Sequence, residues 1–307
     1  MAGPNVSLVV LAIIALSVTA VAWLATWAVL RLLHRLDVFD RPNRRSSHST
    51  PTPRGGGIAV VGCLLVAGIT AATQFPAPAG IAWLFAGTLL LAAVSWADDL
   101  GHLSARLRLA VQALCVIPCL LILTDGNLVF QGLLPPLLDR TVCVLAWLWF
   151  INLYNFMDGI DGLSATESMA IGFGLAAVAL LTGLLWPLAV PGVIVGAAAL
   201  GFFLWNRAPA KIFLGDVGAV PLGFFLGGLL LWSAAQGHWA VAVILPLYYL
   251  VDATWTLLRR ARRGGRFWEP HREHAYQRAV QGGLSHSAVV GAIAICNLLL
   301  IAAAVLA

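Results

Sequence analysis

The feature that most limits the fold of this chain is its succession of apolar runs. Of its 307 residues, 61% are hydrophobic and 10% are charged, whereas a soluble domain has about 25% charged residues. A membrane-spanning helix needs about 20 predominantly apolar residues, and ten runs come near that length. They cover residues 6–30, 57–74, 80–97, 107–124, 141–156, 168–186, 188–205, 217–235, 239–258 and 286–306. The sequence therefore predicts an all-α, polytopic membrane protein with about ten transmembrane helices, in a single domain that covers residues 1–307.

The positive charges of the loops support this topology. When successive loops are placed on alternate sides of a membrane, 17 of the 18 lysines and arginines fall on one side and Arg140 falls on the other. The basic side includes Arg41, Arg44, Arg45, Arg54, Arg106, Arg108, Lys211, Arg259 and Arg266. Cytoplasmic loops carry an excess of Lys and Arg, so this basic side is predicted to be cytoplasmic and both termini are predicted to lie outside. Orientation and contact with anionic membrane lipids explain the charge, and no nucleic-acid partner is expected.

The third apolar run ends in two adjacent aspartates, Asp98 and Asp99, in the segment SWADDLGHL. Neighbouring carboxylates at a membrane border repel each other, and each costs about 2.5–3.5 kcal/mol if it lies deep in the bilayer. A divalent cation or a bound cationic group would relieve that repulsion. The structural alternative is a pair of solvated acids at a helix end, paired with Arg106 or Arg108.

The loop after the fifth run, NLYNFMDGIDGLSA, is rich in polar groups. Asp158 and Asp161 are three residues apart, which places both carboxylates on one side of a turn or helix end. Gly159 allows the backbone to approach a ligand closely, and Asn152 and Asn155 add amides at the same border. A simple capping loop needs one aspartate, so the composition favours a ligand-binding loop.

Two later loops contain a further acid and two histidines. Asp216 precedes the eighth run and follows Lys211, the single lysine of the chain; it is either a helix N-cap or a ligand-binding group. In PHREHAYQR, His271 and His274 are three residues apart. A transition metal would require more ligands of matching softness, so the histidines and Arg272 are better suited to phosphate.

The first basic loop, RPNRRSSHSTPTPRGGG, places Arg54 before three glycines, residues 55–57. Glycines ahead of a helix either form an anion-binding N-terminus or allow helices to pack closely. Together the five loops gather acids, amides, glycines and bases on one face. That combination favours a metal-dependent reaction on phosphates at the membrane border.

The five segments resemble, in the same order, those of the polyprenyl-phosphate N-acetylhexosamine-1-phosphate transferases of bacterial envelope synthesis (glycosyltransferase family 4). The resemblance covers nearly the whole chain through RPNRRSSHSTPTPRGGG, DDLGHLSARLRL, NLYNFMDGIDGLSA, NRAPAKIFLGDVG and HREHAYQR. It implies Mg²⁺-dependent transfer of an N-acetylhexosamine 1-phosphate from a UDP-sugar to undecaprenyl phosphate, with release of UMP. The implied location is the bacterial inner membrane with a cytoplasmic active site. Mn²⁺ is the second candidate ion, and a homodimer is a candidate assembly.

The resemblance also implies roles for individual residues. Asp98, Asp99, His271 and His274 are expected to be catalytic, with Asp99 and Asp216 as the metal-binding residues. The expected substrate-binding residues are Asn152, Asn155, Asp158, Gly159, Asp161, Asn206, Lys211, Phe213, Arg54 and Arg272. Direct attack by the lipid phosphate and a covalent aspartyl-phosphate intermediate both remain open, and so does the role of Asp252.

Two departures from the family pattern bear on the substrate. Ala219 stands where a serine commonly follows GDVG, and the last loop reads HREH instead of three successive histidines. The second departure disfavours the muramyl-pentapeptide precursor and favours UDP-GlcNAc or a UDP-N-acetylated deoxyhexose, used to initiate an O-antigen-like polymer. The alternative function is a polytopic transporter with a cytoplasmic-side anion or metal site, which an aspartate at mid-depth would favour.

Overall fold

The computed structural model describes residues 6–42, 50–101, 103–264 and 271–307. These residues are predominantly helical, and a 3₁₀ turn (Trp186–Leu188) precedes α7. A short strand, β1 (Phe39–Asp40), pairs antiparallel with β2 (Thr52–Pro53). The helices are α1 (Leu8–Arg35), α2 (Gly57–Ala72), α3 (Ile81–Gly101), α4 (Ala105–Leu123), α5 (Pro136–Met157), α6 (Leu163–Thr182), α7 (Ala189–Asn206), α8 (Asp216–Ala235), α9 (Trp239–Ile244), α10 (Leu247–Arg262), α11 (Ala275–Gln281) and α12 (His286–Leu306).

The all-α polytopic fold is confirmed. Within the described ranges, eight helices are long and apolar enough to cross a membrane: α1, α3, α4, α5, α6, α7 with its preceding turn, α8 and α12. The second run forms the 16-residue α2, and the ninth run is interrupted before Leu247, between α9 and α10. The count of ten spans and the outward position of the termini stay predictions. Arg44, Arg45 and Arg266 lie outside the described residues.

Two helices begin earlier than hydropathy predicts. Helix α5 starts at Pro136, inside the predicted loop, because proline is compatible with the first helical turn, where its missing N–H is not needed. Helix α6 starts at Leu163, ahead of the predicted run from 168. Its first turns contain polar residues that lower hydropathy but are buried and hydrogen-bonded; the Thr166 hydroxyl, for example, donates to the Gly162 carbonyl at 2.8 Å.

Helix α8 lies at the centre of the bundle and is almost entirely buried. Trp147 of α5 stacks on Phe224 of α8 with ring centroids 4.9 Å apart, and its indole N–H donates to the Phe224 carbonyl at 2.9 Å. At the start of α2, a Cβ added to Gly57 would meet the backbone of Gly218. The glycines of the first loop therefore allow close packing of α2 on α8, which fixes the N-terminus of α8.

The polar loops meet at one end of the bundle, which we call the charged end and define as segments 50–57, 98–101, 103–108, 155–163, 206–216 and 271–286. Backbone hydrogen bonds join distant parts of it. The amides of Gly55 and Gly56 both donate to the Phe213 carbonyl, at 3.1 and 2.8 Å. The Phe213 amide in turn donates to the Pro53 carbonyl at 2.8 Å. The first basic loop is thus held beside the residues that precede α8.

Candidate active site at the charged end

Arg54 bridges two aspartates from different helices. Its Nη2 lies 2.9 Å from Oδ1 of Asp99 and 2.6 Å from Oδ1 of Asp216. The Asp99 side chain is 1% exposed and that of Asp216 18%, so the guanidinium compensates carboxylates that have little water around them. Burial lowers the pKa of Arg54, but Asp216 and Asp99 outweigh that effect and raise it above its usual value. Arg54 is therefore a permanent cation within an acidic cluster.

A second arginine extends this network. Nη1 of Arg108 lies 3.0 Å from Oδ2 of Asp98 and 3.7 Å from Oδ2 of Asp216. The other oxygen of Asp98 accepts the Leu103 amide at 2.6 Å. Asp98 therefore binds the backbone just before α4 and pairs with Arg108, as its structural interpretation predicts, but it is buried and not solvated. Its catalytic role stays a prediction.

Asp99 also caps helix α8. It accepts the backbone amides of Asp216 at 3.3 Å and Val217 at 3.0 Å, which are unpaired donors at the positive end of the helix. The sequence suggested that Asp216 itself could be an N-cap, whereas the structure gives the capping interaction to a carboxylate from α3. The Asp99 side chain thus fixes the end of α3 against the start of α8, which sets the positions of Asp99 and Asp216 relative to each other.

Asp99 and Asp216 are the residues suited to the expected Mg²⁺. No group of three or more His, Cys, Asp or Glu side chains is arranged to hold a metal among the described residues. Mg²⁺ is commonly held by one or two carboxylates, with waters and substrate phosphates completing its shell. Two hard carboxylates next to Arg54 and Arg108 fit that pattern.

The loop that contains Asp161 is tied to the loop before α8. Oδ2 of Asp161 accepts the Ala210 amide at 3.0 Å. Asn206 accepts the Gly162 amide at 2.9 Å and donates to the Ile212 carbonyl at 2.8 Å. The oxygen and the nitrogen of the buried Asn206 side chain therefore both form hydrogen bonds with the backbone. The sequence does not reveal this structural role. Its expected contact with the nucleotide is untested.

Asp158 lies half-buried directly after α5. Burial raises its pKa to about 6, while a hydrogen bond with Ser164 and the charge of Arg54 oppose the rise. The neighbouring Gly159 faces the last loop, since a Cβ there would meet the hydroxyl of Tyr276. That hydroxyl donates to the Phe156 carbonyl at 3.2 Å. The absence of a side chain at Gly159 therefore lets Tyr276 reach this loop.

The two predicted asparagines of α5 have different surroundings. Nδ2 of Asn152 donates to Oε1 of Gln112 at 2.8 Å, which joins α5 to α4. Asn155 is half-buried on the last turn of α5, and its carbonyl accepts the Asp158 amide at 3.2 Å. Asn155 is thus the nearer of the two to the acidic loop, whereas Asn152 contributes to helix packing.

Asp252 pairs with a neighbouring helix, the arrangement that the structural interpretation of this residue requires. Its carboxylate accepts the amides of Ala275 at 2.8 Å and Tyr276 at 3.4 Å, at the start of α11. Nδ1 of His274 lies 3.6 Å from Oδ1 of Asp252, and His274 is 2% exposed. The structure thus places His274 as the buried N-cap of α11; its catalytic role stays a prediction.

The remaining predicted residues lie around this loop and near the start of α8. Burial, with His274 and Arg260, lowers the pKa of His271 to about 4, so His271 is neutral at neutral pH. Arg272 is half-buried, and its carbonyl accepts Nε2 of Gln281 at 2.8 Å. Lys211 is exposed, with Nζ 5.2 Å from the centroid of the Trp205 ring.

The sequence does not point to two polar contacts of α12, one at the site and one within the bundle. Nδ1 of His286, the first residue of α12, lies 3.3 Å from Oδ2 of Asp161. Within the bundle, Nδ2 of Asn297 donates to Oε2 of the fully buried Glu167 at 2.8 Å. The available signal was the presence of ionisable and amide side chains in apolar helices, which are rare there without a specific partner.

Known proteins resemble this chain over most of its length. The model of glycosyl transferase family 4 matches residues 81–234. A decaprenyl-phosphate N-acetylglucosaminephosphotransferase of Mycobacterium leprae is 30% identical over 320 residues, which cover 91% of this chain and 79% of the relative. A probable undecaprenyl-phosphate N-acetylglucosaminyl 1-phosphate transferase of Bacillus subtilis is 29% identical, over 84% of this chain and 74% of the relative.

A third relative is named for a different sugar. A phospho-N-acetylmuramoyl-pentapeptide-transferase of Chlamydia muridarum is 29% identical over 232 residues, or 67% of this chain and 68% of the relative. The extent of these matches, the apolar helices and the acidic site lead to one conclusion. The chain belongs to glycosyl transferase family 4 and is a multi-pass membrane phosphoglycosyltransferase of the polyprenyl-phosphate sugar-phosphate transferase kind.

Proposed function

We propose that this enzyme transfers an N-acetylhexosamine 1-phosphate from a UDP-sugar to undecaprenyl phosphate and releases UMP, at the cytoplasmic face of a bacterial inner membrane. The observation that carries the proposal is the network in which Arg54 and Arg108 link Asp98, Asp99 and Asp216. The HREH loop favours UDP-GlcNAc or a UDP-N-acetylated deoxyhexose as donor. An O-antigen or related envelope polysaccharide is then the polymer that the reaction initiates.

The reaction must bring two anions together, a lipid phosphate and a nucleotide diphosphate, and their repulsion has to be reduced. Arg54 and Arg108 provide fixed guanidinium donors for phosphate oxygens beside the acidic cluster. Asp99 and Asp216 would hold Mg²⁺, with Mn²⁺ as the second candidate. When bound, the ion supplies charge neutralisation on the diphosphate and on the leaving UMP.

The loop of residues 158–162 is proposed to contact the nucleotide-sugar. The loop is fixed by Asn206 and by the residues before α8. The carboxylates of the loop would therefore be oriented before a substrate binds. Asp158, with a pKa of about 6, is mostly ionised at neutral pH. His271, with a pKa of about 4, is then neutral and offers one donor and one acceptor to the diphosphate or the sugar.

A membrane cavity is suited to the isoprenoid part of the lipid. It has a volume of about 190 Å³ between α5, α8, α9 and α10. Its lining is apolar and includes Phe130, Trp147, Phe150, Trp239 and Pro246. A cavity of this kind binds hydrocarbon through burial of apolar surface. Its α8 lining, from Gly227 to Ala234, belongs to the half of that helix distant from Asp216, so it would take a part of the isoprenoid chain remote from the phosphate.

The transporter alternative is less well supported. A transporter site typically lies near the middle of the membrane. In the described part of the chain, Asp98, Asp99, Asp158, Asp161 and Asp216 lie at helix ends or in loops. Asp252, on the second turn of α10, is engaged by α11. The five aspartates of the charged end thus lie at one border of the bundle, where a lipid phosphate and a nucleotide could meet. Two further acids have structural partners elsewhere: Asp139 accepts the Val129 and Phe130 amides at the opposite end of α5, and Glu167 accepts Asn297.

The test is turnover by purified protein supplied with undecaprenyl phosphate, Mg²⁺ and a panel of UDP-sugars, with UMP and the lipid-linked sugar as products. We expect Asp216→Asn and Asp99→Asn to abolish transfer and to remain folded in the membrane. Asp37→Asn is the matched control, because the Asp37 side chain is 77% exposed and pairs with Arg41. Wild-type turnover in both site variants, or no UMP from any UDP-sugar, would overturn the proposal.

A further inference from the structure

We propose that His286 is a positioning residue that holds the nucleotide-sugar loop through Asp161, an inference that rests on the proposed function. His286 lies at the start of α12, 125 residues after Asp161 in the chain. The two side chains are 14% and 12% exposed, so this contact is largely shielded from solvent. No motif of the sequence connected α12 with the reaction.

The contact involves both the backbone and the side chain of Asp161. Nδ1 of His286 accepts the Asp161 amide at 3.4 Å and lies 3.3 Å from Oδ2 of the same residue. The neutral imidazole binds the amide, and a protonated imidazole would donate to the carboxylate. The two contacts are alternatives, because a nitrogen that carries a proton cannot also accept the amide. In each of them the imidazole is bound to Asp161.

His286 acts together with Asn206 on consecutive amides. The Asp161 amide donates to His286 on α12, and the next amide, that of Gly162, donates to Asn206 at the end of α7. The Asp161 carboxylate is held from a third direction by the Ala210 amide. Two segments of the chain, residues 206–210 and the start of α12, therefore fix one short stretch of backbone, and α12 supplies the contact that hydropathy gave no reason to expect.

The position of α12 is itself fixed by a polar contact deeper in the bundle. Most of α12 is exposed to its surroundings, but Asn297 donates to Glu167 of α6 at 2.8 Å, and both side chains are buried. His286 and Asn297 are 11 residues apart, about three helical turns, so they lie on the same face. The buried residues Val289, Val290 and Ile293 lie between them along the helix.

This second contact opposes sliding of α12 along α6. A shift would leave an amide and a carboxyl group without partners in an apolar environment, which is costly. Helix α6 begins at Leu163, directly after the loop that His286 contacts. The loop, α6 and α12 therefore form one unit in which the depth of α12 sets the position of the imidazole.

The experiment compares His286→Ala, His286→Asn and Ser285→Ala in the purified full-length enzyme. Ser285 caps the same helix end through the Ala288 amide, so its alanine variant weakens α12 but retains the imidazole. We expect His286→Ala to raise KM for the UDP-sugar by about fivefold to tenfold, as for loss of one hydrogen bond. KM for undecaprenyl phosphate should stay unchanged. His286→Asn should recover most of the loss, because its amide oxygen can accept the Asp161 amide.

A second readout needs no substrate. Hydrogen exchange at residues 158–162 should be faster in His286→Ala than in wild type and unchanged in Ser285→Ala. If Ser285→Ala reproduces the KM change, if both substrates are affected equally, or if exchange in the loop is unaltered in His286→Ala, the positioning role is wrong. An inactive wild-type enzyme with normal loop protection would instead refute the proposed function, so the two failures are distinguishable.

Discussion

Replacing Arg54 by methionine would leave two carboxylates facing each other without their shared cation. Nη2 of Arg54 lies 2.9 Å from an oxygen of Asp99 and 2.6 Å from one of Asp216, so these two oxygens are less than about 6 Å apart. Two unit charges at about 6 Å repel each other by about 3 kcal/mol at an effective dielectric constant of about 20. Because the Arg54 side chain is 37% exposed, solvent screens part of this. We expect a loss of about 2 kcal/mol in the free energy of unfolding.

The assay is thermal unfolding of the purified protein with EDTA and then with increasing Mg²⁺. Arg54→Met should unfold at a lower temperature than wild type in EDTA. Mg²⁺ should raise the unfolding temperature more in the variant than in wild type, because a divalent ion can replace the missing positive charge. Arg41→Met is the matched control, since Arg41 is 76% exposed and lies 3.6 Å from Asp37; its stability should not change.

Three results would refute this reasoning. In the first, Arg54→Met is as stable as wild type in EDTA, which would mean that the carboxylates do not need the guanidinium. In the second, Arg41→Met is destabilised equally, so that the effect is a general loss of surface charge. In the third, Mg²⁺ stabilises wild type and Arg54→Met by the same amount, which would mean that the ion does not replace the positive charge of Arg54.

Two further predictions concern pH and packing. The pKa of His271 is lowered from 6.5 to about 4, so between these values the unfolded chain binds more protons and stability falls as pH falls. His271→Gln should lose less stability than wild type between about pH 7 and pH 5, measured by thermal unfolding at each pH, and equal losses would contradict the assignment. Gly57→Ala should destabilise the protein by about 1–3 kcal/mol, because the new Cβ would meet the backbone of Gly218. Gly62→Ala, where a Cβ would meet nothing within 4 Å, is the control, and equal unfolding temperatures for the two variants would refute the packing argument.

The sequence predicts the helical membrane fold and the acidic end of the bundle because both depend on local properties. Hydropathy identifies the runs, and the alternation of loops places Arg54, Asp99, Asp158 and Asp216 on one side. The pairing of Asp98 with an arginine was also foreseeable, since Arg108 lies only ten residues away. These inferences need only spacing along the chain and the physical preference of charged groups for the membrane border.

The contacts between distant loops were not predictable in this way. Hydropathy does not show which helices are neighbours, so it gave no sign that Asp99 caps α8 or that Asp252 caps α11. It also placed the start of α6 too late, because Glu167 is polar by type although it is fully buried. His286 stands at the start of the apolar run 286–306, and hydropathy alone assigns it no partner. In each case a specific partner, far away in sequence, determines the environment.

The capping of α8 by Asp99 has a consequence for substitutions at this position. The same carboxylate completes the backbone hydrogen bonds of the central helix and faces Arg54 in the acidic cluster. An alanine there would remove the acceptor for the helix and the negative charge together. An asparagine would keep an oxygen that can accept an amide of α8 and would lose only the charge that faces Arg54, so the two substitutions separate the architecture of this corner from its electrostatics.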